Sequence, residues 1–192
     1  MDTCGKRIIL ASNSPRRKEL LASLGLEFTI DTNTSFVEEY SLDTPHLKVP
    51  ELMSRGKSLG FHRELAPDEI LITSDTMVLC GTEILGKPSD REDAVRMLAL
   101  LSGREHQVIT AVTIRNSFKE KTFSVCSNVY FKELSDSEIN YYIDTYQPFD
   151  KAGAYGIQEW IGYIGITGIE GSFYNVMGFP TQRFYEELQE FL

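Results

Sequence analysis

Short β-rich apolar runs alternate with capped helical stretches along this chain, and that alternation restricts its fold more than any other feature. Arg7 to Ala11 reads as a strand. It leads into a helix from Pro15 to Leu24, with Ser14 as N-cap, Pro15 at the first helical position and Gly25 just past the end. Glu27 to Asp31 reads as a second strand, and the polar stretch after it, TNTSFVEEYSLDTPH, carries turn signals without a period and reads as a functional loop. A helix is expected over about Leu47 to Phe61, with Pro50 confined to its first turn. EILITS, Glu69 to Ser74, is a continuous apolar run typical of a buried strand, and it ends in Asp75.

The second half repeats the pattern without repeating the sequence. A hairpin is expected near Gly81 and Thr82, and a Ser89 to Glu92 capping box should open a helix ending near Gly103. HQVITAVTIR and KTFSVCSNVYF, separated by Asn116 and Ser117, suggest an antiparallel pair. A capping box from Ser135 to Glu138 opens a helix to about Tyr146, the Gly-rich run from Gly153 to Gly178 fits no single element, and Pro180 to Leu192 closes the chain as an amphipathic helix. The fold class is therefore α/β, a mixed twisted sheet with flanking helices, in one domain over residues 1–192.

Composition narrows the function. With 42% hydrophobic residues the chain has material for a core and lacks the signature of disorder. A net charge of −9 opposes a nucleic-acid polymer as partner, because polymer binding needs a basic face. A small anionic substrate remains possible if cations gather in one pocket. No apolar run approaches the roughly 18–20 residues that span a bilayer, and the first residues lack a signal-peptide core, so a cytoplasmic protein is expected. Cys4, Cys80 and Cys126 are odd in number and widely spaced, and read as free thiols, the last two in strands. His46, His62 and His106 show no metal-like spacing and read as structural.

The cations gather in SNSPRRK. Arg16, Arg17 and Lys18 occupy the first turn of a helix whose start already carries partial positive charge, an unfavourable placement that a bound phosphate would reverse. Ser12, Ser14 and free backbone N–H groups would converge on the same anion. A solvated basic turn has the same composition. Asp75, expected at the C-terminal end of a buried strand, can hold Mg²⁺ or Mn²⁺ or take a proton from attacking water. Glu38 or Glu39 offers a second carboxylate, unless both belong to a solvated loop. Lys57 in RGKSLG and Lys87 in GKP suit phosphate as point charges, although most lysines are surface charges. DKAGAYGIQ sets small residues beside the Gln158 amide, which would let backbone approach a ligand while Gln158 reads a base edge; a tight turn at a sheet edge would look similar. No Walker loop, GxSxG elbow or GxGxxG opening is present.

Read in order, ILASNSPRRKELL, the SDT of Ser74 to Thr76, GKP at Gly86 to Pro88, LSGREHQV, KAGAYGIQ and GSFYNVMGFP make the chain resemble the Maf family of nucleotide pyrophosphatases from Ile8 to about Tyr185. The resemblance implies an elongated, two-lobed α/β fold with a central cleft, usually a homodimer, and metal-dependent hydrolysis between the α and β phosphates with Mg²⁺ or Mn²⁺. It makes Asp75 the catalytic acidic residue. Arg16, Thr76 and Gln158 match the positions that mark the dTTP and UTP subgroup, and Glu39, Lys57 and Lys87 match further cleft positions. The expected mechanism has Asp75 and Glu39 hold the metal. Two other roles fall to members of this family: action on 7-methylated guanine triphosphate, and inhibition of septum formation by binding alone.

Overall fold

The computed structural model describes residues 2–37, 39–41 and 43–192. Among them, the apolar runs become β1 (Arg7–Leu10), β2 (Phe28–Ile30), β3 (Glu69–Cys80), β4 (Glu83–Leu85), β5 (Glu105–Arg115), β6 (Glu120–Phe131) and β7 (Ile166–Glu170). The helices are α1 (Pro15–Ser23), α2 (Val49–Leu59), α3 (Arg91–Leu101), α4 (Asp136–Tyr146), α5 (Trp160–Gly165), α6 (Phe173–Met177) and α7 (Thr181–Phe191). The sheet runs β2-β1-β3-β5-β6-β7, with β4 paired to β3, and it mixes parallel and antiparallel pairs as expected. The chain forms two compact units, one of Met1–Asp75, Thr110–Val125 and Gly178–Leu192, the other of Thr76–Ile109 and Cys126–Met177.

In the first unit β1 has a parallel partner on each side. It pairs Ile8 with Phe28 towards β2, and Arg7 with Glu69 through Leu10 with Ile72 towards β3. Strands covered on both faces read as unbroken apolar runs, and Ile8, Ile9, Leu10, Ile70, Leu71 and Ile72 are all buried. Phe61 and Leu65 join Ile9 and Leu71 in the core. α1 begins as its sequence implies: the Ser14 side chain accepts from the Arg17 N–H, Pro15 sits in the first turn, and Gly25 takes φ +71° just beyond the end. Pro50 lies in the first turn of α2. α7 buries Phe184, Leu188 and Phe191, and the Phe184 ring meets Phe179 at 4.9 Å.

Two expectations change here. β3 does not stop at Ser74 but continues through Asp75 to Cys80. Its pairing with β1 ends at Ile72, and β4 takes over in antiparallel register only from Val78. Between those partners Asp75 and Thr76 are partly buried in an otherwise buried strand, so a polar stretch that reads as a strand end lies in the strand's interior, where neither β1 nor β4 pairs with it. The cap of α3 is Asp90, one residue beyond Ser89: Asp90 accepts from the Asp93 N–H at 2.8 Å, while the Ser89 N–H donates to the Asp93 carboxylate at 3.1 Å.

In the second unit α3 packs on α4, burying Ala94, Leu98 and Leu101 on one side and Ile139, Tyr142 and Ile143 on the other. Arg91 clasps the pair through Asp144 at 2.9 Å and Asn140 at 2.8 Å. The reciprocal Ser135 and Glu138 cap opens α4 as expected. The Gly-rich run resolves into a 3₁₀ turn at Ala152–Ala154, then α5, β7 and α6. Such short elements leave no room for a period.

Candidate active site

In the first unit the centre is an ion pair between Asp75 on β3 and Lys57 in the last turn of α2, with Nζ 2.7 Å from Oδ1 and both side chains about one-fifth exposed, at 20% and 21%. Helix and strand periods explain the meeting. One turn before Lys57, buried Ser54 donates to the Thr73 carbonyl at 3.2 Å, while the Thr73 hydroxyl donates back to the Ser54 carbonyl at 2.7 Å. Lys57 follows Ser54 by three on one helix face, and Asp75 follows Thr73 by two on one strand face, so aligning the first pair aligns the second. Thr113 on β5 lies 3.0 Å from Ser54 Oγ and 2.9 Å from the Thr122 hydroxyl, which extends the lacing. Arg115 grips the same helix by donating to Ser58 O at 2.6 Å and Ser58 Oγ at 3.0 Å. Ser54, Thr73 and Thr113 belong to no motif in the sequence. The available signal was a small hydroxyl three residues before one candidate and another two before the next.

The cationic start of α1 is fastened to the same strand, and its arginines do different work. Arg17 Nη1 donates to the Ser74 carbonyl at 2.9 Å, and its Nε donates to the Gly178 carbonyl at 3.0 Å. Buried Ser12 accepts from the Ser14 N–H at 3.2 Å and lies 3.5 Å from Arg17 Nη1. Arg16 stands half-buried beside it at the helix start. Ser12, Lys57 and Asp75 thus belong to one neighbourhood, anchored by Arg17, and Arg16 precedes Arg17 in the first turn of α1.

Glu39 lies exposed on the expected loop, its N–H bonded to Val37 O at 3.0 Å; Glu38 lies outside the described residues. The loop is laced onto α2. Ser35 N–H donates to Gly60 O at 2.8 Å, and the Phe36 ring lies where a Cβ on Gly56 would fall, 2.2 Å from its Cε2. His62 closes the loop's start on Asp31 at 2.9 Å, and its hydrogen bond holds the Asp31 carboxyl below its ordinary pKa. Among the described residues no three His, Cys, Asp or Glu side chains converge as a metal cage. Mg²⁺ commonly needs only one or two carboxylates plus substrate phosphates and water, and the Asp75 carboxylate fits that sparse arrangement.

Thr76, Lys87 and Gln158 belong to the second unit. The exposed Lys87 sits in a turn tied to KAGAYGIQ, since Gly153 N–H donates to Gly86 O at 3.0 Å. Gly153 takes φ +70°, and a Cβ there would press on Val78 at 3.1 Å. Thr76 precedes Val78 by two and so shares that face of β3. The Gln158 Oε1 atom is buried without a hydrogen-bond partner. His106, as expected, is structural: it bonds Tyr155 at 2.7 Å, and burial pulls its pKa down to about 4. Cys80 and Cys126 are free thiols in β3 and β6.

Comparison with known proteins agrees with these motifs. A family model described as Maf-like protein matches residues 7–191. A dTTP/UTP pyrophosphatase of Bacteroides thetaiotaomicron is 50% identical over 184 residues, covering 96% of this chain and 95% of the relative. One from Parabacteroides distasonis is 49% identical over 185 residues, covering 96% of each chain. One from Porphyromonas gingivalis is 49% identical over 187 residues, covering 96% of this chain and 94% of the relative.

Proposed function

The chain belongs to the family of Maf-like proteins, and on that premise we infer that it is a nucleoside triphosphate pyrophosphatase hydrolysing dTTP and UTP to the monophosphate and pyrophosphate. The observation that carries the catalytic part is the partly buried Lys57–Asp75 pair, one residue along β3 from the carbonyl held by Arg17.

Asp75 takes a proton from the water that attacks the α-phosphorus, and the bond from that phosphorus to the departing pyrophosphate oxygen breaks. In the substrate-free protein Lys57 balances the Asp75 charge. An arriving triphosphate offers Lys57 a second anion and leaves the carboxylate able to act. Arg16, Lys57 and Lys87 stabilise the charge that develops on pyrophosphate, while Ser12 and the first N–H groups of α1 bind phosphate oxygens. Thr76 and Gln158 read the base. When bound, Mg²⁺ or Mn²⁺, held by Asp75 and Glu39, supplies Lewis-acid polarisation of the α-phosphoryl oxygens.

Uracil and thymine present an O4 acceptor and an N3–H donor that an amide can pair with, whereas cytosine inverts both groups. A site that buries the matching partners rejects the inverted edge. No helix among the described residues is long and apolar enough to cross a membrane. We place the protein in the cytoplasm as a homodimer, with residues 1–192 as one domain. The test is a panel of triphosphates with Mg²⁺ or Mn²⁺, products separated by ion exchange. dTTP and UTP should turn over well, and CTP and the purine triphosphates poorly. Asp75→Asn, isosteric and without the basic carboxylate, should lose nearly all hydrolysis while melting near the parent. Equal rates on CTP and UTP, or a fully active Asp75→Asn, would overturn the reading.

A further inference from the structure

Gln158 lies inside a short turn whose two ends are fastened to one buried hydroxyl. Tyr142, fully buried on α4, accepts the Gly156 N–H at 2.9 Å and donates to the Glu159 carboxylate in a very short hydrogen bond. The turn closes on itself through Glu159 N–H to Gly156 O at 3.0 Å. The other oxygen of Glu159 faces Lys151 Nζ at 3.1 Å, and Lys151, 7% exposed, also holds Asp150 at 2.8 Å. The absence of a side chain at Gly156 permits this closure, since a Cβ would come within 2.8 Å of Glu159 Cδ and 3.1 Å of Lys151 Cε. Burial and the neighbouring Glu159 raise the Tyr142 pKa far above its ordinary value, so the phenol stays a donor at any working pH.

The residues bracketed by these bonds are Ile157, which is buried, and Gln158. Tyr163 donates to the Gln158 main-chain carbonyl at 3.0 Å, which fixes the backbone from a third side. The side-chain Oε1 meanwhile is buried and accepts nothing. An amide carbonyl held out of water without a donor costs free energy that other contacts must offset, and it marks a place where a donor is missing.

We propose that Tyr142, Glu159 and Lys151 are positioning residues for base selection, holding the Gln158 amide carbonyl in place to receive the N3–H donor of uracil or thymine. The proposal rests on the reading of Gln158 as the base-contacting residue. Loss of the phenolic hydroxyl frees both ends of the turn, so the penalty for presenting an unmatched base edge relaxes.

The test compares kcat/KM for UTP and CTP in the parent, Tyr142→Phe, Lys151→Met, Gln158→Ala and the Tyr142→Phe, Gln158→Ala double variant. Tyr142→Phe keeps the ring volume and should lower the UTP to CTP ratio by about tenfold, the size of one net hydrogen bond. Lys151→Met, which leaves the phenol in place but takes a buried cation from Glu159, should lower it by about threefold or more. Neither should lower the two rates in proportion, which is what general destabilisation does. In the Gln158→Ala background Tyr142→Phe should leave the ratio unchanged, since coupled residues are not additive. If Gln158→Ala collapses the ratio while Tyr142→Phe and Lys151→Met preserve it, this inference fails and the role of Gln158 stands. If the parent does not discriminate, the underlying reading has failed. Should Tyr142→Phe not fold, Lys151→Met alone decides, and an unchanged ratio there overturns the proposal.

Discussion

Replacing Arg17 and Arg16 in turn separates two roles that a run of cations conceals. Arg17 holds two carbonyls, Ser74 O at 2.9 Å and Gly178 O at 3.0 Å, while its contact with Ser12 Oγ at 3.5 Å is too long to contribute much. A hydrogen bond from a charged donor contributes about 1.5–3 kcal/mol, and the half-buried setting favours the lower end, so the two bonds together give roughly 3 kcal/mol. Removing a cation from a helix start returns up to about 1 kcal/mol. Arg17→Met should therefore lose about 2 kcal/mol, a fall in Tm of roughly 4–8 °C for a chain of this size. Arg16→Ala removes a cation from the same helix end and, on this account, a phosphate ligand. Its kcat/KM for UTP should fall by about tenfold or more, well beyond what any change in Tm accounts for. Thermal melts by circular dichroism, paired with initial rates on UTP, read both effects. An Arg17→Met protein that melts with the parent would refute the bridging role, and an Arg16→Ala protein that is destabilised yet catalytically normal would reduce Arg16 to a structural residue.

Gly60→Ala should be more damaging than Gly56→Ala, because a Cβ at Gly60 meets the Phe36 backbone N at 2.9 Å, whereas at Gly56 it meets the far edge of a ring that can swing aside. The expected loss is about 1–3 kcal/mol for Gly60→Ala, with faster proteolysis next to Phe36; equal melting of the two variants would contradict the lacing. Acid should weaken the fold through His106. Its folded pKa of about 4 lies below its ordinary 6.5, so the unfolded chain binds the proton first. The stability present above pH 6.5 is lost as pH falls towards 4, by about 3 kcal/mol. The Glu138 carboxyl, held at about 2 mainly by Lys132, loses its contribution only below its ordinary 4.5, so urea midpoints between pH 7 and pH 5 report His106; a flat profile there, or one unchanged in His106→Gln, would contradict the assignment.

Local signals carried the elements well where one residue decides a boundary. Ser14, Pro15 and Gly25 delimit α1, and Ser135 with Glu138 delimits α4, because caps act within four residues of chain. Asp75 shows the opposite case. Whether a polar residue ends a strand or sits uncovered within it depends on where its neighbours stop, and β1 stops at Leu10, far away in sequence. The motif residues Asp75, Lys57 and Arg16 were visible as chemistry. The parts that hold them, Ser54 on Thr73, Arg17 on Ser74 and Phe36 over Gly56, were not, since each is a pairing between distant segments with no periodic trace.

Everything proposed for the site depends on water attacking the α-phosphorus. Hydrolysis of UTP by the purified protein in ¹⁸O-labelled water, with the products resolved by mass spectrometry, tests this directly. One ¹⁸O is expected in UMP and none in pyrophosphate, with the label incorporation abolished in Asp75→Asn. Label in pyrophosphate with unlabelled UMP, or orthophosphate as the first product, would contradict it.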